Sequence, residues 1–95
     1  MGRSNGRRRT GETIMEKFEG TNNQKREALL AIKDGETLRV DFQRPLEETN
    51  KLLFTADINV RDGSICVMID KWDDRRQEWE LVGYMEPSTA AKIYM

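Results

Sequence analysis

Histidine is absent from this 95-residue chain, and cysteine occurs once, at Cys66. Catalytic triads that contain histidine, zinc sites built from cysteine and histidine, and an internal disulfide are therefore excluded. Long apolar runs are also missing, since no stretch approaches the roughly 18 consecutive apolar residues of a membrane-spanning helix. The arginines near the N-terminus are not followed by the apolar segment of a secretory signal. We expect a cytoplasmic protein without membrane association.

Charge is abundant in this chain and unevenly distributed. Charged residues make up 35% of the sequence, above the usual share of about 25%. The first ten residues hold four arginines and no acid, whereas the rest of the chain holds 12 basic and 17 acidic residues. Because residues 1–20 have few apolar side chains to offset the entropy of ordering, we expect a flexible basic arm there. Residues 21–95 then form a single α+β domain.

A helix is predicted at the start of this domain. Thr21 and Gln24 have the spacing of a capping box, in which each side chain accepts a hydrogen bond from the backbone amide of the other residue. Apolar residues then recur at helical spacing, and Gly35 follows where a left-handed glycine often ends a helix. The pattern predicts a helix from about residue 22 to 34.

Two segments with alternating apolar residues predict strands. The first contains Leu38, Val40 and Phe42 and is stopped by Pro45. Residues 46–51 are charged and predict a loop, and the second strand follows over residues 54–60.

A hairpin is predicted to follow this second strand. Asp62 and Gly63 are typical of the two central residues of a type I′ turn, which need positive φ. Such a turn places Ile58 opposite Val67 and Ala56 opposite Ile69, so that each pair across the turn is apolar.

The last predicted hairpin joins strands at about residues 65–72 and 78–85. Two registers are compatible with its sequence. A loop with an odd number of residues places Trp79 and Leu81 on the core face, whereas an even number brings Trp79 opposite Trp72. We favour the odd loop because it extends the core.

The chain closes with a predicted short helix that starts at Pro87 and Ser88, with Ser88 or Thr89 as its cap. The predicted fold class is α+β: an N-terminal helix followed by a four-stranded antiparallel meander and a short C-terminal helix, in two layers.

Two sets of residues are candidate binding sites. The first is the set of arginines that could neutralise nucleic-acid phosphates, Arg3, Arg7, Arg8 and Arg9. The second lies around the last hairpin and mixes cations, carboxylates and a tryptophan: Lys71, Trp72, Asp73, Asp74, Arg75 and Arg76. Carboxylates repel phosphate, so this second surface suits a protein partner better than stacking on bases. No calcium-loop or phosphate-cradling motif accompanies the acidic residues, so we expect no metal and no cofactor.

The stretch Glu27 to Val40, EALLAIKDGETLRV, resembles the opening helix, glycine and strand of a small phage-encoded family that includes anti-CRISPR and nucleotide-sequestering anti-defence proteins. The later stretch FTADINVRDGSI is also similar to it. The family's tryptophan after the first strand is replaced by Gln43, Arg44 and Pro45, and no site residue is carried over. The resemblance implies a phage or mobile-element accessory protein.

Together these patterns predict a small, non-enzymatic regulator or inhibitor that docks through its acidic domain onto a protein partner with a basic surface. The alternative hypothesis is a nucleic-acid-binding protein that uses the arginine arm and the sheet hairpin. Both a monomer and a homodimer are compatible with the sequence.

Overall fold

The polypeptide forms two helices and a four-stranded sheet in a computed structural model that describes residues 16–95. The elements in chain order are α1 (Asn22–Leu30), β1 (Thr37–Gln43), β2 (Thr49–Ile58), β3 (Ile65–Asp73), β4 (Glu78–Met85) and α2 (Pro87–Tyr94). The strands are antiparallel and lie in the order β1-β2-β3-β4. Both helices pack against the same face of the sheet. The predicted two-layer α+β fold is confirmed.

The core lies between the helices and the inward-facing side chains of the sheet. Alternate residues of β1 are buried, as predicted, because one face of this strand meets the helices and the other does not. The largest fully buried side chains are Phe42, Phe54, Leu29, Leu52, Ile69, Val40 and Val67. The core is therefore built mainly on the three strands β1, β2 and β3.

Helix α1 begins as predicted but ends earlier. The Thr21 side chain accepts from the amide of Gln24, and the Gln24 side chain accepts from the amide of Thr21, which confirms the capping box. The predicted end at residue 34 is wrong, since the helix ends at Leu30. Gly35 does have a positive φ of 84°. Its amide, however, donates to the carbonyl of Ala56 on β2, so this glycine starts the sheet and does not end the helix.

The loop between β1 and β2 is shorter than predicted. Gln43 pairs with Thr49, so only residues 44–48 connect the strands and β2 starts well before residue 54. The polar residues at the start of β2 are compatible with a strand because the ladder of hydrogen bonds from β1 continues to its end. Leu46 takes the positive φ of 65° that the turn needs and is fully exposed.

The predicted register of the β2–β3 hairpin is wrong by two residues. Ile58 pairs with Ile65, and Ala56 pairs with Val67, so the loop spans residues 59–64. Within it, side-chain oxygens of Asn59 and Asp62 accept from the amides of Arg61 and Ser64 and stabilise a wider loop. Because a shift of two residues keeps every side chain on the same face, the strands still present their predicted apolar sides to the core.

Only one of the two turn residues has the predicted conformation. Gly63 has a φ of 76°, whereas Asp62 does not adopt a positive φ, so the type I′ turn does not form. The wider loop also leaves Ile58 and Val60 exposed, at 40% and 93%, although both belong to the apolar alternation of the predicted second strand.

The β3–β4 hairpin has the even loop, so the favoured odd loop is wrong. Residues 74–77 connect the strands, Asp73 pairs with Glu78, and Trp72 pairs with Trp79. The register shifts at a bulge between Ile69 and Asp70, which leaves Val82 as an extra residue of β4.

Helix α2 is held at its C-terminal end by two arginines from elsewhere in the chain. Arg44 donates to the carbonyls of Lys92 and Ile93, and Arg26 donates to the carbonyl of Met95 at 2.8 Å. At its start, the N-cap residue is Glu86, without a side-chain cap, so the predicted capping by Ser88 or Thr89 is wrong. Pro87 occupies the first turn as predicted.

The described residues that precede α1 extend the sheet at its β1 edge. Lys17 forms a parallel bridge with Arg39, whose carbonyl accepts from the amide of Phe18 at 2.7 Å. Phe18 also packs against the core. The division at residue 20 into an arm and a domain stays a prediction.

Candidate functional site

The face of the sheet opposite the helices, called the open face below, presents a group of large apolar side chains. These are Leu53, Cys66, Met68, Trp72, Trp79, Leu81 and Tyr84. Leu53 and Cys66 are buried by their neighbours, whereas Met68, Trp79, Leu81 and Tyr84 are 39%, 36%, 58% and 52% exposed. In the part of the chain that the structure describes, both helices pack on the other side of the sheet. A contiguous exposed apolar area of this kind is typical of an interaction surface.

The bulge at Val82 changes which residues of β4 face the helices. Between the turn and the bulge, Leu81 pairs with Asp70 and Trp79 pairs with Trp72, on the side away from the helices. Beyond the bulge, Gly83 and Met85 pair with Ile69 and Val67, on the core side. Strand β4 therefore contributes Trp79 and Leu81 to the open face before the bulge, and Gly83 and Met85 to the core after it, while Tyr84 lies on the open face opposite Met68.

Asp70 occupies the centre of the open face among apolar neighbours. Leu53 and Leu81 are its cross-strand partners on β2 and β4. Met68 and Trp72, two positions away along β3, share its face. Among residues 16–95, no basic side chain forms an ion pair with Asp70 and no group donates a hydrogen bond to it. Burial raises the pKa of this carboxyl group above its usual value, because the charged form is less well solvated there.

A cluster of charges lies beside the apolar residues, at the β1 side of the open face. The guanidinium of Arg39 lies 5.1 Å from the ring centroid of Trp79 and donates to Asp41 at 2.7 Å. Lys17 donates to the other oxygen of Asp41 at 3.2 Å. Partial burial by itself raises the pKa of Asp41, but the hydrogen bonds from Arg39 and Lys17 outweigh it, so the pKa lies below its usual value. The charge of Arg39 is thus already balanced by Asp41.

The two tryptophans at the end of the open face contact each other and are fixed by polar contacts. Their ring centroids are 5.3 Å apart, and the rings are inclined at 70°. The indole N–H of Trp72 donates to Asp74 at 2.8 Å, and the Nζ of Lys51 lies 4.0 Å from the same carboxylate. The rings are held in place by these contacts.

The residues predicted from the last hairpin lie on both sides of β3 and in the turn that follows it. Trp72 lies on the open face, whereas Lys71 and Asp73 alternate to the other side of β3. Asp73 accepts from the amides of Arg75 and Arg76 and so stabilises the turn. Five of the six predicted residues line one cavity of about 340 Å³ at the end of the sheet, namely Lys71, Trp72, Asp73, Asp74 and Arg75. The other residues that line it are Glu48, Thr49, Asn50 and Glu80.

The other predicted site lies outside the described residues, since Arg3, Arg7, Arg8 and Arg9 all precede residue 16. Over residues 16–95, no group of three acidic or cysteine side chains is arranged to hold a metal ion. No helix in the same range is long and apolar enough to cross a membrane.

The open face was missed by sequence reasoning because the odd loop was favoured. Trp79, Leu81, Gly83 and Met85 are spaced two residues apart, so the odd loop places all four on the core face. In the structure, the four-residue loop places Trp79 and Leu81 on the open face, and the extra residue at 82 returns Gly83 and Met85 to the core. A possible signal was the Trp72–Trp79 pairing of the even loop, which places both rings on one face.

No protein-family model matches this chain, and neither curated proteins nor solved structures have a significant similarity to it.

Proposed function

We propose that this chain is a small non-enzymatic protein-binding regulator or inhibitor that acts in the cytoplasm and docks on a partner protein with a basic surface. The observation that carries the proposal is the open face, where four large apolar side chains are each more than a third exposed. The helices close the core on the other side of the sheet, so the exposed parts of these side chains are not covered by the described elements. Burial against a partner removes their apolar surface from water.

The charge of the domain supports a basic partner. The described residues hold 12 basic and 16 acidic side chains. At this face, the two positive charges of Arg39 and Lys17 are paired with the carboxylates of Asp41 and Glu19, whereas Asp70 has no such partner among the described residues. Such a surface attracts a cationic partner and repels an acidic one.

The contacts of the tryptophans favour a protein partner over nucleic acid. Arg39 lies over the ring of Trp79, and Trp72 packs edge-on against the same residue, so these rings do not offer two free faces for bases. Asp74 accepts a hydrogen bond from Trp72 and adds a negative charge where the phosphates of a nucleic acid would have to approach. We therefore rank nucleic-acid binding through the hairpin below protein binding.

Photo-crosslinking in the cells that make this protein tests the proposal. A benzophenone amino acid is placed at Leu81, on the open face, or at Leu30, which is similarly exposed on α1 at 54%. We expect the probe at Leu81 to give a discrete protein adduct that the matched probe at Leu30 does not give. An adduct with nucleic acid alone, or equal adducts from both positions, would contradict the proposal.

A further inference from the structure

The side chain of Asp70 makes no stabilising polar contact within the described domain. Its carboxylate takes part in no ion pair or hydrogen bond with residues 16–95, and its partial burial disfavours the charged form. Its position among Leu53, Leu81, Met68 and Trp72 means that any partner covering the open face also covers this carboxylate.

Covering a carboxylate without a counter-charge is unfavourable, because the group loses water and gains no compensating contact. The cations near Asp70 on the open face are already engaged by other carboxylates: Arg39 by Asp41 and Lys51 by Asp74. Residues 16–95 therefore leave Asp70 without a counter-charge, which a partner can supply.

Resting on the proposed function, we infer that the open face binds a protein segment in which an arginine, flanked by apolar side chains, pairs with Asp70. Arginine fits better than lysine because its planar guanidinium forms two parallel hydrogen bonds to a carboxylate and stacks on aromatic rings. The same face shows such a contact within the chain, where Arg39 lies over Trp79. The flanking apolar residues of the partner cover Met68 and Leu81, which are exposed on either side of Asp70.

Two short peptides test this inference directly. Acetyl-Leu-Arg-Leu-amide carries the cation, and acetyl-Leu-citrulline-Leu-amide is a neutral analogue of nearly the same shape. Binding is followed by NMR of methyl-labelled methionine, because Met68 lies on the open face whereas Met95 is buried in the core. We expect the arginine peptide to shift the Met68 methyl signal in a saturable way and to leave that of Met95 unchanged.

Two matched variants assign the binding to Asp70. Asp70→Asn removes the charge and keeps the shape, and we expect it to weaken binding of the arginine peptide about tenfold, as for loss of a charge-assisted hydrogen bond. Glu80→Gln makes the same charge change on β4 next to Leu81, on the side facing away from the open face, and is expected to bind like the original protein.

Three outcomes overturn the inference. Equal binding of the two peptides, or of the original protein and Asp70→Asn, means that the open face recognises apolar groups without the cation. No shift of Met68 with either peptide means that the site does not take such a segment, whereas the crosslinking at Leu81 still reports independently on the proposed function. A dimer in sedimentation that Leu81→Glu dissociates would make a second copy of this chain the occupant.

Discussion

Two isoleucines on neighbouring strands test the register of the β2–β3 hairpin. Ile69 on β3 is fully buried opposite Phe54, whereas Ile58 on β2 is 40% exposed opposite Ile65. The two-residue turn predicted from the sequence instead places Ile58 near the centre of the sheet, opposite Val67. Replacing each isoleucine with alanine removes the same atoms, so any difference in stability reports on their surroundings.

The expected losses of stability follow from how deeply each isoleucine side chain is buried. Ile69→Ala deletes groups enclosed by the core and leaves a cavity, so we expect a loss of about 2 to 5 kcal/mol in the free energy of unfolding. Ile58→Ala removes groups that are partly in water and leaves no enclosed cavity, so we expect a loss of about 1 kcal/mol. Because small domains are only about 5 to 15 kcal/mol stable, the first loss is large.

Urea unfolding followed by circular dichroism measures both losses. The slope of free energy against urea concentration should be the same in the two variants, which shows that both unfold from a similar structure. Asn59→Ala is a further control, because the Asn59 side chain accepts a hydrogen bond within the loop and is not part of the core. A loss at Ile58 as large as that at Ile69 would refute the observed register.

Other variants test the charged and capping residues. Since burial raises the pKa of Asp70 above 3.8, its charged form destabilises the fold at higher pH, and this penalty disappears as pH falls through the folded pKa. Asp70→Asn should therefore raise Tm at pH 7 and have no effect below pH 3.8. The charged form of Asp41 stabilises the fold, because the pKa of Asp41 is lowered below 3.8. This stabilisation is present above pH 3.8 and is lost as pH falls through the folded pKa. Asp41→Asn should thus lower Tm at pH 7, with a difference from the original protein that shrinks in acid. Thr21→Ala should cost about 0.5 to 2 kcal/mol in urea unfolding by removing the cap of α1. Arg44→Ala should speed amide hydrogen exchange in α2 and leave exchange in β2 unchanged; equal acceleration in both would show that Arg44 acts on the whole fold.

The features that sequence predicted correctly depend on contacts close along the chain. The capping box at Thr21 and the alternation in β1 are of this kind, because residues two or three positions apart determine them. Strand β4 also has its predicted bounds. These patterns suffice for the fold class.

The features that sequence missed depend on competition between local and long-range contacts. Asp62 and Gly63 favour a tight turn, but the side chain of Asn59 stabilises a wider one that the ladder between β2 and β3 also permits. For the candidate site, five of the predicted hairpin residues line one cavity, yet the open face escaped prediction. The bulge had a signal that was not used, because a glycine inside a strand often marks a bulge and Gly83 follows Val82 directly.

The bulge at Val82 divides the mutational behaviour of one strand into two parts. Changes at Gly83 and Met85 alter packing against the core, so they affect how much folded protein is present. Changes at Leu81, which is 58% exposed on the open face, alter recognition more than they alter the amount of folded protein. A lineage can therefore exchange one partner for another by substitutions at this position without first acquiring stabilising changes elsewhere.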